Sequence, residues 1–211
     1  LSVFLAFLAI GAVISGPISD IFGRSPIFIA GFTLYLAATV LCALAPNIET
    51  LIAGRMLQAI GGCVSLSLTR AIIRDLHGAK TSAAMIGAVT MGMAVVPMIS
   101  PGLGGLLDEA FGWKSVFWFF FAIGGLMLWL VYVDLGETAQ KSSKSLIGQF
   151  KEYPELLRSP RFWGYSLAAA FCSGSFFAYL GGAPLMKNKV FGMGPSELGF
   201  YFGGPAIGFF L

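Results

Sequence analysis

The chain alternates long stretches that lack charged residues with short charged segments. Stretches free of Asp, Glu, Lys and Arg cover 1–19, 25–48, 56–69, 81–107, 115–133, 162–186 and 198–211. A helix that crosses the hydrocarbon core of a bilayer needs about 20 apolar residues. The third stretch, 56–69, reaches that length only if Arg55 and Arg70 lie inside the helix. The pattern predicts seven membrane spans, over 1–18, 26–46, 49–75, 81–107, 113–135, 161–184 and 196–211.

The predicted fold class is therefore all-α, a polytopic helical bundle in a lipid bilayer. We place a first bundle over 1–135, a central loop over 136–160, and the start of a second bundle over 161–211. The central loop carries Leu146, Phe150, Tyr153 and Leu157 at helical spacing. This spacing is typical of an interfacial amphipathic helix. A solvated linker is an equally good interpretation of the loop. Both chain ends fall within apolar stretches, so we interpret the chain as a segment of a longer polypeptide, with its last span truncated.

Composition supports membrane burial. Hydrophobic residues make up 57% of the chain and charged residues 11%, whereas soluble domains carry about 25% charged residues. The net charge of +3 is too small to indicate a nucleic-acid partner, and the Lys and Arg residues are too scattered along the chain. Each of Cys42, Cys63 and Cys172 stands alone in an apolar stretch, so we expect buried apolar side chains rather than disulfides or metal ligands.

Basic residues fall unevenly between the two sets of connections. If the turn 19–25 is cytoplasmic, eight bases gather on that side and three on the other. Because Lys and Arg concentrate in cytoplasmic loops, we expect 19–25, 76–80 and 136–160 to face the cytoplasm. The connections 47–48, 108–112 and 185–195 would then face outward.

The first turn, "SGPISDIFGRSP" at residues 15–26, is unusually polar. Gly23 allows a tight backbone turn, and Asp20 is expected near the positive end of the following helix. The segment resembles "GGLLDEAFGWKSVF" at 104–117. The two turns would lie on opposite faces of the membrane, as inverted three-helix repeats predict. Chance similarity is an equally good explanation.

Arg55 is the residue that a membrane span accommodates least easily. An arginine at the bilayer centre costs about 2.5–3.5 kcal/mol on insertion scales, so it should face the bundle interior. Gln58 lies one turn further on the same face. We interpret the pair as part of a proton or substrate pathway, with a purely structural role as the alternative. Arg70 and Arg74 near the end of this helix complement its dipole, and we expect Asp75 to pair with them locally.

The next span is rich in glycine and proline. Glycines allow close helix packing, and prolines kink a helix. We therefore expect a helix that packs closely and bends, with the packing and hinge positions Gly92, Pro97, Pro101, Gly102, Gly104 and Gly105.

Several kinds of chemistry have no support in the sequence. The single histidine and the acids at helix ends form no catalytic triad, metal cluster or phosphate loop, so we expect neither catalytic residues nor a cofactor. All ten acids lie in loops or at helix ends. Proton coupling needs a titratable group in the pathway, and the spans of this chain supply no acid for it.

Three motifs carry a family resemblance. Gly16, Asp20, Gly23 and Arg24 match the loop motif G-x-x-x-D-x-x-G-R of the major facilitator superfamily, with Ser25 where a base is usual. Arg55, Gln58 and Gly61 resemble its fourth-helix motif. Pro101, Gly104 and Gly105 resemble its antiporter motif. Further stretches, "TRAIIRD", "FGWKSVFWF" and "YPELLRSPRFWGY", resemble the Bcr/CflA drug-efflux subfamily.

The resemblance implies helices two to eight of a twelve-helix transporter in the bacterial inner membrane. It implies proton-coupled efflux of small amphiphilic drugs by alternating access, with the coupling acid on a first helix outside this sequence. The first loop would switch conformation, and the full-length protein would be a monomer. The alternatives are a symporter or facilitator for a small metabolite, or a truncated relic that does not transport.

Overall fold

The computed structural model describes residues 2–139, 146–151 and 153–186. These form seven helices: α1 (Ser2–Phe22), α2 (Arg24–Ala43), α3 (Ile48–Phe111), α4 (Lys114–Asp134), α5 (Leu146–Phe150), α6 (Tyr153–Arg158) and α7 (Pro160–Met186). The described residues contain no strand. The predicted all-α fold class is confirmed.

Helix α3 is broken where the sequence predicts a turn. Gly78 has φ 65° and ψ 170°, which is not helical. We call residues 48–77 the first arm and residues 79–111 the second arm of α3. The predicted spans 49–75 and 81–107 fall on these two arms, so the turn expected at 76–80 corresponds to the break.

Four helical segments of the described chain are long and apolar enough to cross a membrane: Ser2–Phe22, Arg24–Ala43, Ile48–Gly78 and Lys114–Asp134. Thr81–Met93 is a shorter apolar helix within the second arm. The predicted span 161–184 lies on α7, and the predicted span 196–211 lies outside the described residues. The central loop contains the short helices α5 and α6, which agrees locally with the helical interpretation of 146–157.

The core lies between α1, α2 and the first arm of α3. Helix α2 packs against this arm and against α4, and α1 packs against the same arm. A buried cluster near the Arg24 end comprises Phe28, Cys63, Val64, Leu68 and Ile72. Cys42 and Cys63 are buried as expected, but the expectation for Cys172 is wrong, since it is exposed on α7.

Helix α2 approaches α3 closely at Gly61. A Cβ atom at Gly61 would lie 2.4 Å from the backbone nitrogen of Tyr35 and 2.6 Å from the carbonyl oxygen of Gly31. Backbone atoms cannot move aside as a side chain can, so the two helices would have to separate. Small residues at helix crossings allow this close contact in membranes, where van der Waals packing drives helix association.

We predict that Gly61→Ala destabilises the protein and that Gly62→Ala does not. Alanine favours a helix over glycine by about 1 kcal/mol, but at Gly61 the overpacking should outweigh this and cost about 1–3 kcal/mol net. At Gly62 the nearest atom is in the movable Tyr35 ring, 3.3 Å away. Thermal unfolding in detergent measures both variants. Equal stability of the two would contradict the assigned helix contact.

Candidate functional site

The turn between α1 and α2 consists of one residue. Helix α1 ends at Phe22 and α2 begins at Arg24, so Gly23 alone reverses the chain. Its φ of 103° and ψ of 154° lie where residues with a Cβ are strained. Its N–H donates to the carbonyl oxygen of Ser19 at 3.0 Å. The loop predicted at 19–25 is therefore mostly helical, and Gly16 lies within α1 with open space beside it.

Arg24 is the centre of this turn. It is 7% exposed, and its Nη1 lies 2.5 Å from Oδ1 of Asp20. The same nitrogen donates to Oγ of Ser19. Its Nε lies 3.1 Å from Oδ2 of Asp75. One guanidinium group thus joins the end of α1, the start of α2 and the end of the first arm of α3.

Two expectations for these acids need correction. Asp20 lies in the last turn of α1, and its observed partner at the start of α2 is the side chain of Arg24 rather than a backbone N–H group. Asp75 does not pair locally with Arg70 or Arg74, since its observed partner is Arg24 on another helix. Both acids neutralise a buried cation, which is a stronger constraint than a surface pairing.

Glu137 was not expected from the sequence. It follows α4, and its Oε1 accepts hydrogen bonds at 2.9 Å from the backbone N–H of Arg24 and of Ala139. We call Asp20, Arg24, Asp75 and Glu137 the charged cluster. The signal in the sequence was indirect: α2 has glycine at its N-cap and no side-chain cap of its own, so its first N–H groups need an acceptor from elsewhere.

The Glu137 carboxyl group is held in its ionised form. Partial burial raises its pKa, but hydrogen bonds from backbone N–H groups, chiefly those of Ala139 and Arg24, outweigh this and lower the pKa below the ordinary 4.5. A lowered carboxyl pKa contributes stability above the ordinary value, which is lost as pH falls through the lowered one. Glu137 therefore stays charged at neutral pH.

A second polar group surrounds Arg55 in the first arm of α3. Nη1 of Arg55 lies 2.5 Å from Oε1 of Gln58, and Nε2 of Gln58 donates to Oγ1 of Thr39 at 2.8 Å. The Arg55 guanidinium lies over the Phe4 ring, 4.4 Å from its centroid. Gln58 and Thr39 are fully buried. The expected neighbours Arg55 and Gln58 are thus together, and Thr39 and Phe4 complete the group.

Thr39 and Phe4 were missed because neither belongs to a local pattern. A threonine hydroxyl in a span bonds readily to its own helix, and Thr39 does donate to the carbonyl oxygen of Tyr35. Its further role as an acceptor depends on the packing of α2 against α3. Phe4 looks like any apolar residue of α1. The signal available was that a buried glutamine amide must find partners on a neighbouring helix.

The other predicted site residues have fewer contacts. Arg70 and Arg74 are exposed, and Arg70 lines an open cavity of about 260 Å³ between the two arms of α3, with Ser65, Thr69 and Thr90 among its walls. On the second arm, Pro97 and Pro101 lie within the helix. Described atoms leave open space around Gly92, Gly102 and Gly104, while Gly105 is buried. Their role in packing and bending stays a prediction.

The described residues contain no group of three or more His, Cys, Asp or Glu side chains that could hold a metal ion. The two polar groups instead suit electrostatic and conformational roles. The charged cluster ties helix ends together, and the Arg55 group places a cation among neutral partners inside a span.

Comparison with known proteins gives consistent matches along the whole chain. The family model of the Major Facilitator Superfamily matches residues 1–211. The chain is 36% identical over 209 residues to an uncharacterized MFS-type transporter, YdgK, of Bacillus subtilis (strain 168), covering 96% of this chain and 52% of that protein. It is 31% identical over 205 residues to a chloramphenicol resistance protein of Pseudomonas aeruginosa, covering 95% and 47%.

A third relative is a bicyclomycin resistance protein homolog of Haemophilus influenzae. The identity is 24% over 207 residues, covering 96% of this chain and 52% of that protein. The chain therefore spans about half the length of the curated relatives it matches.

We predict that Asp75→Asn lowers the free energy of unfolding by about 1–3 kcal/mol, because it leaves a buried guanidinium with one carboxylate fewer. Asp108→Asn is the matched control, since Asp108 is an exposed acid near the end of the second arm. Thermal unfolding in detergent at neutral pH compares the two. If Asp75→Asn costs no more than Asp108→Asn, the Arg24–Asp75 pair does not hold the helix ends together.

Proposed function

The chain belongs to the Major Facilitator Superfamily, and from that membership we propose that it forms part of a proton-coupled exporter of small amphiphilic drugs. The names of its relatives include a chloramphenicol resistance protein, a bicyclomycin resistance protein homolog and the multidrug resistance protein MdtL of Escherichia coli. These names support a drug-like substrate. Export would proceed by alternating access of a site between two helical bundles.

The observation that carries the proton-coupled mechanism is the environment of Arg55. Its guanidinium contacts an amide oxygen and an aromatic ring, and no acid of the described chain forms an ion pair with it. A cation in a span needs compensation inside the bundle. We propose that a carboxyl group outside this sequence provides it. The Arg55 charge would lower the pKa of that acid and favour release of its proton.

The charged cluster supports the proposed topology. Gly23 and Glu137 belong to two of the predicted cytoplasmic connections, and Asp75 immediately precedes the third. Direct bonds through Arg24 join all three. Three connections that meet in this way belong on the same side of the membrane. The excess of basic residues in these connections makes that side the cytoplasmic one, in a bacterial inner membrane.

The function of the charged cluster follows from this placement. We propose that it closes the cytoplasmic end of the first bundle and is remodelled when the transporter opens inward. In this proposal the full-length protein works as a monomer, with protons, the drug and the lipid bilayer as its partners.

The orientation predicts opposite labelling of two cysteines. In a cysteine-free full-length protein, Ala110→Cys should react with a membrane-impermeant maleimide added to intact cells, and Arg158→Cys should react only after the cells are opened. Both native side chains are exposed, so access rather than burial decides the result. The reverse pattern would overturn the proposed orientation.

The export mechanism predicts a graded effect at Arg55. Cells expressing the full-length gene should resist chloramphenicol or bicyclomycin, and a protonophore should remove the resistance. Arg55→Ala should reduce proton-coupled efflux more than tenfold. Arg55→Lys should weaken it several-fold, since it keeps the charge but loses the planar fork. The pH profile of any residual efflux by Arg55→Ala should move to higher pH by about one unit.

Arg158→Ala is the matched control, because Arg158 is an exposed arginine on α6. Efflux and drug-induced proton release are measured on the same membranes. Normal pumping by Arg55→Ala, with an unchanged pH profile, would make Arg55 a structural residue only. Resistance that persists with the protonophore would contradict proton coupling.

A further inference from the structure

The charged cluster has three carboxylates and one guanidinium group. Asp20 and Asp75 both bind the Arg24 side chain. Glu137 binds instead to the backbone, through the N–H of Arg24 at 2.9 Å. Glu137 thus does not bind the guanidinium. It fixes the backbone of Arg24, the residue that carries this guanidinium.

The start of α2 provides a place for this carboxylate. The first four N–H groups of a helix have no acceptor within the helix, and the positive end of the helix dipole favours an anion there. The usual cap is a side chain just before the helix, but Gly23 has none. Glu137, which is 113 positions away along the sequence from Arg24, takes that role.

The fit between Gly23 and Glu137 is close. A Cβ atom at position 23 would lie 2.2 Å from Oε2 of Glu137. The positive φ favours glycine here, and a Cβ atom would also push the Glu137 carboxylate away from the place it occupies. Ser25 adds a parallel contact, with its Oγ donating to the carbonyl oxygen of Leu135 at 3.2 Å. Gly23, Arg24 and Ser25 therefore all lie against the residues that follow α4.

The segment that connects α4 to α7 also contacts α1, and we call its described residues, 136–139, 146–151 and 153–160, the connecting segment. The hydroxyl of Tyr153 donates to the carbonyl oxygen of Val13 at 2.9 Å. Contacts of Glu137 and Tyr153 thus reach the two helices that flank the one-residue turn.

We propose that Glu137 is a positioning residue that caps α2 from a distance and couples the connecting segment to the one-residue turn at Gly23. While Glu137 holds the Arg24 peptide, the guanidinium stays directed at Asp20 and Asp75, and the end of the bundle is closed. A movement of the connecting segment that withdraws Glu137 frees the turn. The coupling to transport rests on the proposed exporter function, whereas the capping itself does not.

Hydrogen exchange of the Arg24 amide tests the cap directly. This amide has no acceptor within α2, so its protection depends on Glu137. In the full-length protein, Glu137→Ala should accelerate its exchange by about 10- to 100-fold, the range expected for a lost hydrogen bond to a charged acceptor. Glu137→Gln keeps an amide oxygen of the same reach and should show a smaller increase. Glu155→Ala, an exposed acid of α6 in the same segment, is the control and should leave the exchange unchanged.

Efflux measured per folded protein tests the coupling. Glu137→Ala should reduce the maximal efflux rate several-fold and leave the drug concentration for half-maximal efflux unchanged. Glu137→Gln should restore part of the rate, and Glu155→Ala should match the wild type. If Glu137→Ala does not fold, both amide exchange and efflux are measured on Glu137→Gln. The expected result is then a smaller increase in exchange and a smaller loss of efflux rate.

Unchanged exchange of the Arg24 amide in both Glu137 variants would overturn the cap. Faster exchange with unchanged efflux would overturn the coupling. A wild-type protein that exports no drug would contradict the proposed function, while the exchange measurement would still decide whether Glu137 caps α2.

Discussion

The arrangement of the helix ends depends on one buried cation, the guanidinium of Arg24. Removing a charge from water is expensive unless close partners replace the lost hydration. Asp20 and Asp75 supply that replacement from α1 and from the first arm of α3, so these two ends must converge on the start of α2. The short turn at Gly23 meets the same requirement, because a longer loop would let Arg24 reach water. The apolar cluster around Phe28 and Leu68 lies beside this end and excludes solvent from it.

Sequence patterns predicted much of this fold because the relevant signals are local. Runs of apolar residues predicted the positions of four spans, and Gly23 marked the first turn. Gly23, Gly78 and Gly112 all have positive φ with ψ between 154° and 170°. The shared conformation at Gly23 and Gly112 agrees with the sequence similarity between their two segments. The pairing of Arg55 with Gln58 was also predictable, because residues three apart on a helix are neighbours.

The remaining contacts could not be predicted because they join residues far apart in sequence. Asp75 is 51 positions from Arg24 and Glu137 is 113 positions away, and no local periodicity specifies such pairs. The partner of Asp20 was missed for a different reason. A carboxylate just before a helix can cap it or pair with a base one turn later, and the sequence alone does not distinguish these. The burial of Arg24 explains why Asp20 forms the ion pair. A buried guanidinium without a carboxylate would cost more free energy than a helix end without a cap.

Arg24 and Arg55 show opposite ways of placing a cation in an apolar bundle. Arg24 is nearly fully buried between two acids, so its charge is neutralised within the described chain and acts to hold helices together. Arg55 is half-buried, and its observed partners are an amide and an aromatic ring, which orient the guanidinium but do not cancel its charge. Gln58 is itself held by a hydrogen bond to Thr39 on α2. Helix α2 therefore helps to orient the Arg55 guanidinium. A cation that is oriented but not neutralised keeps its field for groups that approach from outside these helices. That difference makes Arg24 suited to a structural closure and Arg55 suited to controlling the ionisation of another group.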